Sequence, residues 1–148
     1  MQRIIAAALF ALFAFVGQAN AQSGIFQGDY NINVSSLISV NNVNAVSITS
    51  KHAIVYSIDA FNNSTTLAYL KLYNSSSATC GSGTPQARYM IPFGASSAGG
   101  GFNLSNINGD AYVNGLTACI TTGIADNDTG APAANAYIVN IHWKALQQ

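Results

Sequence analysis

The sequence predicts an all-β protein: an antiparallel β-sandwich or jelly roll of about seven or eight strands, preceded by a cleavable signal helix. Three observations predict it. Hydrophobicity alternates with a period of two along most of the chain. Short segments rich in Asn, Ser and Gly punctuate that alternation. No stretch after residue 21 carries the 3.6-residue stripe of a helix.

Residues 1–21 have the layout of a secretory signal peptide. Arg3 supplies the positive start, Ile4 to Gly17 is apolar and uncharged, and Ala19-Asn20-Ala21 is a small-x-small cleavage site. The apolar run is shorter than the roughly 20 residues that a membrane span needs. No Cys follows it to carry a lipid anchor. The expected location is therefore secreted or periplasmic, with no membrane span after cleavage. Residues 22–36 have little pattern and are set apart as an N-terminal arm: either a terminal segment that is poorly tied down, as such segments more often are, or an arm that pairs with another copy. Residues 37–148 are expected to form the sandwich.

Five strands read clearly. Ile54, Tyr56 and Ile58 alternate with Val55, Ser57 and Asp59. Ala68, Leu70 and Leu72 alternate with Tyr69, Lys71 and Tyr73. Tyr89, Ile91 and Phe93 alternate with Met90 and Pro92. Leu116, Ala118 and Ile120 alternate with Thr117, Cys119 and Thr121. Tyr137, Val139, Ile141 and Trp143 alternate with Ile138, Asn140, His142 and Lys144. Each places one face toward a core and the other outward, and Trp143 falls on the core side. Weaker candidates are Leu37–Val40, Val43–Thr49 and Phe102–Leu104. Turn residues separate them: Asn62-Asn63-Ser64, then Asn74 to Thr84, Gly94 to Gly101, Asn106 to Asp110, and Ala125 to Asn135. These residue types accept positive φ or bond their own backbone. Pro92 lacks a ladder donor, so its strand is at an edge or ends there.

Cys80 and Cys119 are the only cysteines. In an oxidising compartment they read as a disulfide. Cys119 alternates with Leu116, Ala118 and Ile120. If those three face the core, the bridge lies on the outer side of the strand. It then pins the Asn74–Thr84 loop across one sheet and does not join two sheets.

Charge is scarce: five Lys or Arg and five Asp or Glu in 148 residues, with a formal net charge of +0. A surface this neutral has no field to draw it to a phosphate backbone, so nucleic acid is not an expected partner. It also lacks the repulsion that keeps copies apart, and a homo-oligomer is expected.

Catalytic patterns are thin. Asp29, Asp110, Asp126 and Asp128 lie in or beside expected turns, where carboxylates usually bond backbone amides. Asp126-Asn127-Asp128-Thr129-Gly130 has the start of a calcium loop but no closing bidentate acid. Asp126 and Asp128 are thus only weak metal candidates, and no cofactor is expected. Gly94-Ala95-Ser96-Ser97-Ala98 misses the nucleophile-elbow pattern at its last position and has no helix after it. His52 and His142 fall at a strand start and on a polar strand face. Gly99-Gly100-Gly101 lacks the Lys of a phosphate loop. Tyr69, Lys71 and Tyr73 share the polar face of one strand and form the candidate ligand-binding surface, because tyrosines can stack on sugars. The competing reading is a covered cross-strand aromatic contact.

Several segments together carry a family pattern: Leu70-Lys71-Leu72-Tyr73-Asn74, Thr79-Cys80-Gly81, Thr84-Pro85, Ile91-Pro92, Cys119-Ile120-Thr121-Thr122-Gly123, Ala125-Asp126-Asn127-Asp128 and Val139-Asn140-Ile141-His142-Trp143-Lys144. Over about Val46 to Lys144 the chain resembles a family of small, uncharacterised β-sandwich proteins of bacteriophage structural genes and bacterial genomes. The resemblance implies a structural or surface-display role and carries no catalytic residues. The signal peptide departs from that pattern, since virion parts assemble without export. The expected function is an exported, non-catalytic structural or surface protein that self-associates. A carbohydrate- or surface-binding module is the alternative, and a hydrolase the third reading.

Overall fold

The computed structural model describes residues 32–38, 45–94 and 99–146. The signal peptide, most of the expected arm and Ser96-Ser97 lie outside the described residues, as do parts of the two weak strand candidates before Thr49. Eight strands are described: β1 (Asn33–Ile38), β2 (Val46–Thr49), β3 (Ala53–Asn62), β4 (Ala68–Tyr73), β5 (Ala87–Ile91), β6 (Gly100–Tyr112), β7 (Leu116–Thr121) and β8 (Tyr137–Ala145). The described residues contain no helix, and none long and apolar enough to cross a membrane. The first strand takes in Asn33–Ser36, residues that the sequence pattern assigns to the arm.

The strands form two four-stranded sheets, ordered β1-β8-β3-β6 and β2-β7-β4-β5. This is the order of a jelly roll. It follows from folding one long antiparallel hairpin. Within it β1 pairs β8, β2 pairs β7, β3 pairs β6 and β4 pairs β5. Rolling the hairpin up then joins β3 to β8 and β4 to β7. Between the sheets lies one core, with Val55, Ile58, Val139 and Ile141 from the first and Leu70, Leu72, Leu116 and Ile120 from the second. Each such side chain contributes about 1.5–3 kcal/mol when fully buried.

Strand β3 departs from the simple alternation. Its pairing with β8 steps from Val55↔Trp143 to Ser57↔His142, so Tyr56 is an extra residue, a β-bulge. The core face is therefore Ala53 and Val55 before the bulge, and Ile58 and Ala60 after it. The expected shared face of Ile54, Tyr56 and Ile58 is corrected: parity flips between them. Opposite the bulge, β6 advances from Ser105 to Asp110 while β3 moves only from Ser57 to Val55. The expected Asn106–Asp110 loop is thus an excursion inside one long strand. It covers the outward Ile54 and Tyr56. A Cβ on Gly109, whose φ is +72°, would fall 2.1 Å from Ile54 Cγ2.

Pro92 follows directly after β5, which is an edge strand, as its missing donor requires. Trp143 packs against the core, and its indole Nε1 donates to Ser35 Oγ at 2.9 Å.

Candidate functional site

Two surfaces gather the chemistry-bearing residues. The first is the outer face of the β2-β7-β4-β5 sheet. Tyr69, Lys71 and Tyr73 do share it, and across the ladders they lie opposite Thr121, Cys119 and Thr117. Two loops cover that face. Cys80, in the loop after β4, is disulfide-bonded to Cys119. Cys119 is fully buried yet lies outside the core cluster that holds its neighbours Ala118 and Ile120. The bridge therefore sits on the outer side and pins the loop to one sheet. Thr117 Oγ1 donates to Ser75 O at 2.6 Å, and Thr121 Oγ1 donates to Gly123 O at 2.9 Å. Every residue of β7 is buried as a result.

Lys71 lies under this cover with 0% exposure, and Tyr73 keeps only 3%. Burial is the reason that they do not form the open tyrosine platform expected from the pattern; of the three, only Tyr69 is partly exposed. Lys71 Nζ donates to Ala125 O at 2.6 Å. Burial lowers the Lys71 pKa, while Asp128 and Asp126 oppose that shift. Burial raises the pKa of Tyr73.

The loop of residues 122–130 closes on itself around Asp128. Its Oδ1 accepts the amides of Gly123 at 3.1 Å and Gly130 at 3.0 Å. Asp126 accepts Arg88 Nε at 2.6 Å and is ion-paired to the same guanidinium. The two weak metal candidates thus have partners already, and the cation bonded to this loop is the Lys71 ammonium, through the Ala125 carbonyl. Among the described residues no three His, Cys, Asp or Glu side chains cluster as a metal site.

The second surface is the open side of the sandwich, where β5 and β6 are the neighbouring sheet edges. A groove of about 350 Å³ lies between them, lined by Arg88, Tyr89 and Met90 from β5 and Phe102, Asn103 and Leu104 from β6. Tyr89 and Phe102 stack at a tilt, with ring centroids 6.0 Å apart. Tyr89 Oη reaches Asp110 Oδ2 at 3.4 Å, and burial raises its pKa. Met90 and Phe93 are half exposed, at 54% and 50%. Period-two alternation marks the β5 residues as strand, but the groove depends on which edge faces them, and no local signal encodes that.

A polar stripe crosses the outer face of the other sheet from this groove. Asn103 donates to Asp59 Oδ1, and Asp59 Oδ2 bonds His142 Nε2 at 2.9 Å. Toward β1, Ser36 Oγ donates to Asn140 Oδ1 at 2.6 Å. The Asp59–His142 pair could serve a base, but it sits on a sheet face where the structure places no nucleophile in hydrogen bond with the imidazole among the described contacts. The outward parity of Asp59 and His142 was readable; their meeting across the β3–β8 ladder was not.

No protein-family model matches this chain, and neither a curated protein nor a solved structure is significantly similar to it.

Proposed function

We propose that the protein is an exported, non-catalytic structural or surface component that works in several copies. The observation that carries this reading is the apolar open side: Met90 and Phe93 stand half exposed beside a groove lined by Tyr89, Phe102 and Leu104. Exposed apolar groups gathered at a sheet edge mark contact surfaces in a soluble domain. Scarce charge supports association, because no field opposes it. The Cys80–Cys119 disulfide is compatible with an oxidising, extracellular or periplasmic location. Jelly rolls serve both coats and lectins, so the fold alone does not choose between roles. Sedimentation of the mature protein at micromolar concentration tests the reading. Concentration-dependent assembly is expected, and a strict monomer throughout would overturn it.

One observation favours a second reading, a carbohydrate-binding module. The same groove combines a tilted Tyr89–Phe102 pair with Arg88 and Asn103, at a volume suited to a small ligand. Glycan-array binding that is lost in Tyr89→Ala would establish it, and silence across the array would end it.

A further inference from the structure

The β1-β8-β3-β6 sheet has four strands, each antiparallel to its neighbours. An even number gives its two edges opposite chain directions. A second copy in the same orientation can therefore set its β1 antiparallel beside β6 of the first, with core faces and outer faces aligned.

The other sheet is less open to addition. Pro85 and Pro92 bracket β5, which also carries Arg88, and β2 is only 4 residues long. In contrast, β1 has no charged residue and no Pro. From Gly100 to Ser105, β6 pairs in regular register and likewise has neither, and no described strand covers its outer edge. Apolar side chains stand exposed at both ends: Val34 at 55% and Ile32 at 45% by β1, with Met90 and Phe93 by β6.

We propose that copies of this chain join head to tail through β6 of one and β1 of the next, extending the sheet. This rests on the self-associating reading above and names its interface. Parity selects the register. Phe102 and Leu104 pack inward, as does Leu37. Asn103 and Ser36 point outward, shown by their bonds to Asp59 and Asn140. Setting Asn103 opposite Ser36 puts Phe102 against Leu37 and Ser105 against Val34. The polar stripe then continues from copy to copy, with no like charges meeting. Such a heterologous contact is open-ended, and the sheet twist makes the product a helical filament.

Variants with one added cysteine at an exposed position, beside the native Cys80–Cys119 bridge, test the interface. Asn103→Cys and Ser36→Cys proteins, each first checked for wild-type thermal unfolding, are oxidised separately and as a mixture. Mass spectrometry locates the bridges. Cross-linked dimers through residues 103 and 36 in the mixture, several-fold above either variant alone, are the expected result. Homodimers of Asn103→Cys alone would mean that β6 pairs with itself, and would overturn the proposal. Absence of any cross-link between residues 103 and 36 in a mixture that still sediments as an assembly would overturn this interface and leave the self-associating reading standing. A strict monomer would overturn both. As a second measurement, Val34→Lys places a charge at the β1 edge and is expected to reduce assemblies to monomer; unchanged assembly would count against the proposal.

Discussion

The ammonium of Lys71 donates a 2.6 Å hydrogen bond to the carbonyl of Ala125, beneath a loop that also holds Asp126 and Asp128. Lys71 lies opposite Arg88 across the β4–β5 ladder, so two like charges face each other. Asp126, paired to Arg88, offsets that repulsion.

The first prediction follows from the lowered Lys71 pKa. Between that value and the ordinary lysine pKa of about 10.4, the unfolded chain holds a proton that the folded chain has shed. Stability from this group therefore rises with pH across that window. Thermal unfolding of wild type and Lys71→Met from pH 7 to 10.5 should show wild type gaining on the variant as pH rises. A constant difference would contradict it.

Tyr73, Tyr89 and Tyr112 titrate in the opposite sense. Burial raises all three. Their contribution is present below the unfolded tyrosine value of about 10 and is lost as pH climbs through the folded ones. Both proteins in the comparison above carry these tyrosines, so their effect largely cancels. In wild type alone, a fall in unfolding temperature above about pH 10 is expected, alongside rising tyrosinate absorbance.

Removing the disulfide tests what it pins. The bridge spans a sequence separation of 39. In the chain-entropy model its loss costs about 4 kcal/mol, measurable by urea unfolding of Cys80→Ala/Cys119→Ala. Because the bridge lies on the outer side of β7, amide exchange should accelerate in residues 74–83 before it does in β3 and β8. Equal acceleration in both sheets would point to an inter-sheet staple.

Gly109 reports on the bulge. Its φ is +72°, and an added Cβ would collide with Ile54 Cγ2. Gly109→Ala should destabilise by about 1–3 kcal/mol from backbone strain, with the clash adding to it. A neutral result in chemical unfolding would mean that the β6 excursion does not pack on β3.

Asn62 ties the sheets together where the chain leaves β3. It is fully buried, and its Nδ2 donates to Thr66 O at 2.8 Å and to Ile91 O at 3.4 Å. Its Oδ1 accepts the Ser64 amide at 2.8 Å. Asn62→Ala removes these bonds from a buried site, although Thr66 O keeps the hydroxyl of Tyr137 at 3.0 Å, and unfolding free energy should fall by about 1–3 kcal/mol. Asn62-Asn63-Ser64 also matches the Asn-x-Ser glycosylation pattern, and the same burial predicts that Asn62 stays unmodified in folded protein.

Much of the architecture was legible before any coordinates. The alternation through Ala68–Tyr73, Leu116–Thr121 and Tyr137–Lys144 corresponds to β4, β7 and β8. Alternation is a local property, set by two-residue geometry and stated outright in the residue order. The placement of Cys119 opposite Ala118 and Ile120 followed from the same parity, without knowledge of the partner strand. Where alternation broke, the reading broke with it: Tyr56 inserts one residue into β3, and only the paired strands β6 and β8 reveal the slip.

The candidate site was less legible. Polar character at Lys71 and Tyr73 suggested a wet face, yet the disulfide loop and the Asp128 loop bury it. Residue order by itself determined the β class, the turns that end β4 and β7 and the side on which the sulfurs lie, because those depend on neighbours one or two residues away. Tertiary structure alone decided the jelly-roll order, the groove between β5 and β6, and the burial of Lys71. These arise from segments tens of residues apart, and which segment covers which face is a choice of the whole chain's packing.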